Sequence, residues 1–150
     1  MLSRRLYLLV LALLAAVPAL AAEPPIRVEH GWARATPDNA TIGAAYLTID
    51  SSVDDRLVSA ASPVADDVQL QENLVEDGVT SMRRVTGIDV HAGQRLVLEP
   101  EGLHFRLIGL KQKLHPGQSF ALTVTFAKAG AVETQIAVEP IGSLVHDHNG

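Results

Sequence analysis

The 150-residue chain has no cysteine, one tryptophan and two methionines. Without cysteine there are no disulfides, no thiolate metal ligands, no thiol nucleophile and no cysteine to carry a lipid. Stability must come from packing alone. One of the methionines is Met1, so Met82 is the only thioether once a leader is removed. Basic residues are few, 12 Lys+Arg against 17 Asp+Glu, a formal net charge of −5. No basic stripe is present to track phosphates, which argues against nucleic acid as a partner. Also missing are a Gly-rich phosphate loop, a nucleophile elbow and any internal repeat, so an enzyme is not expected.

What is there begins with an export signal over residues 1–21. Arg4 and Arg5 form the positive start, Leu6 through Val17 the apolar run, and Ala19-Leu20-Ala21 the small-residue cleavage site. That apolar run is too short, and too closely followed by Pro18, to span a bilayer. Cleavage leaves a mature chain with no membrane span. Taking Arg4 and Arg5 from the 12 basic residues leaves 10 against 17 acidic ones, a net charge of −7. The expected organisation is a signal peptide over 1–21, one domain over 22–140 and a flexible His-containing tail over 141–150. That length is enough to bury one core.

Short alternating segments separated by turns fill the domain. Strands are expected at Ile26–Trp32, Ala45–Asp50, Leu57–Ala61, Asp67–Asn73, Val79–Val85, Gln94–Leu98, Leu103–Leu110, Gln118–Phe126 and Val132–Val138. Residues 39–45 read as a loop. Glu76-Asp77-Gly78 is a hairpin-type turn. In 118–126, Phe120, Leu122, Val124 and Phe126 share one face. Strands recurring about every ten residues argue an all-β sandwich or barrel.

Several blocks resemble the periplasmic copper chaperones of the PCu(A)C family. They are Gly31-Trp32-Ala33-Arg34-Ala35-Thr36-Pro37, Ala44-Ala45-Tyr46-Leu47-Thr48-Ile49, and a run of matches from Met82 to Val138 including Leu103-His104, Gly109-Leu110-Lys111 and Leu122-Thr123-Val124-Thr125-Phe126. The resemblance implies a cupredoxin-like Greek-key β-barrel. It also implies a monomer in the periplasm that binds Cu(I) and delivers it toward the Cu-A site of respiratory oxidase or its assembly factors. The family's ligand frame reads His, Met, His, Met. Its positions here are Gln71, Met82, His104 and Arg106, so the resemblance carries a metal-ligand role only to Met82 and His104.

The donor chemistry explains both the match and the mismatch. Cu(I) is soft, and thioether sulfur and imidazole nitrogen suit it. An amide oxygen such as that of Gln71 is a hard, weak donor. The Arg106 guanidinium has no free lone pair and stays charged. At about 6 Å and an effective dielectric near 20 it opposes a monovalent cation by roughly 3 kcal/mol. Strand alternation puts His104 and Arg106 on one face and Phe105 and Leu107 on the other. Arg106 is free in this reading to hydrogen-bond Gln71 or to pair with Glu72. Two roles for Met82 stand side by side, a copper donor and a core filler. Two functions do as well: a copper carrier, and a metal-free protein-binding module on the same barrel. His30, His91 and His115 read as solvated residues, and Asp66-Asp67 and Glu76-Asp77 as solvated edges. His146-Asp147-His148 can chelate Cu(II), Zn(II) or Ni(II) with modest affinity.

Overall fold

The computed structural model of the protein describes Pro18 and residues 22–141. Apart from Pro18 and Ile141, the signal peptide and the His-containing tail read from the sequence lie outside the described residues.

Among the described residues the chain is all strand, with no helix. In chain order the strands are β1 (Ile26–Arg34), β2 (Ile42–Ser51), β3 (Asp55–Ala61), β4 (Ala65–Glu76), β5 (Val79–Arg84), β6 (Ile88–Val90), β7 (Arg95–Val97), β8 (Leu103–Leu110), β9 (Ser119–Phe126) and β10 (Gly130–Glu139). Seven of them close on themselves in the order β4-β8-β2-β1-β10-β9-β3, and the Ala60–Val68 bridge returns β3 to β4. Closure leaves those seven no free edge, which removes the commonest route to sheet aggregation. Strands β5, β6 and β7 attach to β4, β3 and β2. Only β1 and β10 run parallel; the other pairs are antiparallel. This is the all-β, cupredoxin-like barrel that the strand spacing and the family resemblance implied.

Alternation fills the barrel. Phe120, Leu122, Val124 and Phe126 of β9 all point inward, as the sequence pattern requires. They meet Phe105 and Leu107 of β8, Ala45, Leu47 and Ile49 of β2, and Ile136 and Val138 of β10 in one continuous core. Most strand ends differ from the sequence reading by a residue or more, and two differences stand out. Strand β2 starts at Ile42, inside the stretch that read as loop, because Gly43 and Ala44 have little β propensity of their own. The site rewards smallness instead: a Cβ on Gly43 would sit 3.3 Å from Leu110 Cδ1. The three-residue β6 was not expected at all; pairing with Asp55–Leu57 of β3 defines it.

Local chemistry sets the remaining geometry. Glu76 pairs with Val79 across a two-residue turn in which Asp77 and Gly78 have φ of 50° and 76°. Positive φ at both positions is the type I′ turn that Asp-Gly favours. It projects the β4–β5 hairpin, whose β5 residues are all exposed. In β1 the pairing slips between Glu29 and Trp32, with His30 at φ 53°. This bulge re-aims the strand so that Trp32 lies opposite Tyr46. Gly31 follows because a Cβ there would lie 2.7 Å from the Gln135 carbonyl.

Candidate metal centre

Four strands assemble the site on the outside of the barrel wall. Residues directly opposite in an antiparallel pair share a face. Gln71 of β4 lies opposite His104 of β8, and Gln69 opposite Arg106. Arg106 also lies opposite Ala44 of β2, while Met82 of β5 lies opposite Asn73 of β4. Their inward neighbours Phe105 and Leu107 belong to the core. The i, i+2 expectation that His104 and Arg106 share a face therefore holds.

Depth grades across this face. His104 is 4% exposed and Gln71 8%, Arg106 is half-buried, and Met82 is 58% exposed. Met82 is thus not a core filler, and that alternative is set aside. The His104 ring lies 6.3 Å from the Tyr46 ring, which in turn sits 4.5 Å from Trp32 with the planes tilted by 37°. Burial pushes the Tyr46 phenol pKa up, opposed by the Arg34 charge.

The orientation of His104 follows from one hydrogen bond. Its Nδ1 is 3.1 Å from the Gly102 carbonyl oxygen. A carbonyl can only accept, so Nδ1 is the donor, and in the neutral ring Nε2 keeps its lone pair. A main-chain acceptor on one ring nitrogen, leaving the other free, is the arrangement that presents histidine to a metal. That nitrogen belongs to a side chain lining a cavity of about 330 Å³ shared with Met82, Arg106, Tyr46, Thr36 and Arg34.

Arg106 occupies the middle of the frame. Its Nη1 donates to Gln71 Oε1 at 3.4 Å and lies 3.5 Å from Met82 Sδ. Gln71 Nε2 donates in turn to Gln69 Oε1 at 3.4 Å. The two contacts to oxygen are longer than ordinary N–H···O bonds, and a thioether is a weak acceptor, so all three are weak. Of the two partners the sequence offered Arg106, Gln71 is the one taken; Glu72 pairs with Arg83 at 2.8 Å. The barrel therefore brings all four frame residues together, with a cation lying against one of the two plausible donors.

Other candidate residues lie elsewhere. His30, His91 and His115 are exposed, as expected, and His30 stands 3.8 Å from Glu29. No group of three or more His, Cys, Asp or Glu placed to hold a metal occurs among the described residues. Asp67 accepts from Gln69 Nε2 at 2.9 Å on the surface. Arg34, Thr36 and Tyr46 have no place in the four-residue frame, yet they line the cavity. A usable signal existed: Trp32 and Tyr46 are large aromatics in the outward phase of their strands, and such residues need a cover.

A closed all-β barrel of this topology has the architecture of PCuAC domains. It superposes on a copper-bound PCuAC domain from PmoF2 with a TM-score of 0.65 at 26% identity, over 79% of this chain and 96% of that one. On Cu(I)-DR1885 from Deinococcus radiodurans the TM-score is 0.62 at 25% identity, over 81% and 83% of the two chains. Residues 26–138 match the family described as "Putative lipoprotein LpqE-like", and the chain belongs to that LpqE-like family. It is also 26% identical over 126 residues to "Putative lipoprotein Lxx21020" of Leifsonia xyli subsp. xyli (strain CTCB07), covering 83% of this chain and 76% of the relative.

Proposed function

We propose that the protein is an exported, monomeric copper carrier of the periplasm, with Cu(I) as cargo held by His104 Nε2 and Met82 Sδ. In this reading it passes copper toward the Cu-A site of a respiratory oxidase or toward its assembly factors. One observation carries the proposal. The Gly102 carbonyl fixes the His104 tautomer so that the free nitrogen belongs to a ring lining the same cavity as the Met82 thioether. A neutral imidazole and a neutral thioether are soft enough for Cu(I) and release it more readily than thiolates do. The copper-bound PmoF2 domain and Cu(I)-DR1885 support the same reading. No helix among the described residues is long and apolar enough to cross a membrane.

Arg106 makes the site weak or conditional. With a guanidinium nitrogen 3.5 Å from the sulfur, copper enters only as that side chain swings away. Titration of the purified protein against a chromophoric Cu(I) chelator tests this. The expected result is about one equivalent bound, lost in the variant combining Met82→Leu and His104→Ala. No binding against micromolar competition overturns the proposal.

One observation favours a second reading, a metal-free module that recognises another exported protein. Arg106 ties the Met82 and Gln71 positions together without any metal. In that case copper affinity arises only after the cation is removed.

A further inference from the structure

We propose that the cavity beside Arg106 binds a small organic carboxylate, paired with the Arg106 guanidinium. The lining is cationic and apolar. Arg34 and Arg106 stand with Ala35, Pro37, Ile42 and Ala44, and no acidic side chain is present. This occurs in a chain of net charge −5, in which most described arginines of the barrel wall have carboxylate partners close by. Arg56 pairs with Asp89 at 2.7 Å, Arg83 with Glu72 at 2.8 Å and Arg95 with Asp50 at 2.9 Å. Arg106 has only the neutral Gln71 oxygen and Met82 sulfur, at 3.4 and 3.5 Å. A planar guanidinium with weak neutral partners matches a carboxylate by charge and by its paired N–H geometry. About 330 Å³ lies at the lower end of small-ligand pockets and exceeds what a bare inorganic anion fills. Its apolar wall calls for an organic body behind the carboxylate.

The two ligands of this cavity are then linked. A carboxylate that engages Arg106 draws Nη1 from the Met82 sulfur and neutralises the charge facing the metal. Carboxylate binding thereby strengthens Cu(I) binding, and Cu(I) strengthens carboxylate binding by the same factor. This coupling rests on the copper reading; the carboxylate site does not.

Cyclohexanecarboxylate, transparent in the near ultraviolet, is a suitable probe. The fluorescence of Trp32, the only tryptophan, reports on the cavity because its ring lies 4.5 Å from that of Tyr46, which lines it. Saturable binding is expected in the wild type, weakened roughly tenfold or more by Arg106→Gln and less by Arg106→Lys, which keeps the charge. Cyclohexylmethanol, the neutral analogue, is expected not to bind. No saturation, equal affinity in Arg106→Gln, or equal binding of the alcohol overturns the site. A copper titration with and without the probe separates the two claims. If the probe binds and copper does not in either condition, the copper reading fails and the carboxylate site stands. If both bind with no effect on each other, the coupling fails.

Discussion

Asp55 and Arg106 each carry a charge into partly covered surroundings, and the barrel answers them differently. Asp55, at the start of β3, has Oδ1 accepting from the backbone N–H of Arg56 at 2.7 Å and of Lys128 at 2.9 Å, and Oδ2 from that of Ala129 at 2.9 Å. Burial opposes its ionisation, but the three N–H donors and the Lys128 charge together hold its pKa below the ordinary carboxylate value. The carboxylate fastens the β9–β10 turn to β3. Arg106 meets a neutral amide at a distance too long for a strong bond and a thioether that is a weak acceptor. One charge is used up by the fold and the other is left for a ligand. Satisfaction of a charge by main-chain groups is thus a sign of structure, and its incompleteness on a cavity wall is a sign of a site.

The largest effect that breaks this contrast is on copper. Combining Arg106→Met with Gln71→His removes the opposing cation and restores an imidazole and a thioether at the frame. Lifting roughly 3 kcal/mol of repulsion alone corresponds to a rise in Cu(I) affinity of about a hundredfold, measured by chelator competition. Were the native protein to bind Cu(I) as tightly as this variant, Arg106 would not be an obstacle and the metal-free reading would fail.

Next comes acid sensitivity at Asp55. Its folded pKa lies below the ordinary value of 3.8, so its contribution to stability is present above that pH and fades as the pH falls through the folded pKa. Asp55→Asn keeps one acceptor oxygen but loses the charge. The variant is expected to melt lower than the wild type at pH 7, with the gap narrowing below about pH 4, as followed by calorimetry. A gap that stays constant down to pH 2 would show that the charge contributes nothing beyond shape.

The contrast also explains what the sequence made legible. Strand alternation along β9, the Asp-Gly turn and the shared face of His104 and Arg106 depend on neighbours within a few residues, so pattern alone reveals them. The start of β2 was hidden because its small residues answer to packing against β8 and Leu114, not to propensity. Asp55 was unreadable for a similar reason, since two of its donors stand 73 and 74 residues away. The cover over the site is likewise long-range. Thr36 N donates to the Leu114 carbonyl, and Leu114 N to Thr36 Oγ1, which pins the segment carrying Arg34 to Pro37 beside Tyr46. The four frame positions came from the family resemblance, whereas the cavity around them needed the fold.

The smallest effect is the most diagnostic of which side of the contrast Arg106 belongs to. A half-buried arginine whose contacts measure 3.4 and 3.5 Å adds little to folding, because weak hydrogen bonds to neutral groups barely exceed those made to water. Arg106→Gln is therefore expected to change stability by no more than about 0.5 kcal/mol in urea unfolding, with the slope unchanged. The same variant loses the carboxylate probe. A protein indifferent to the substitution in folding but altered in binding has kept that charge for a ligand. A loss above roughly 1.5 kcal/mol would instead put Arg106 with Asp55, as a fastening within the wall.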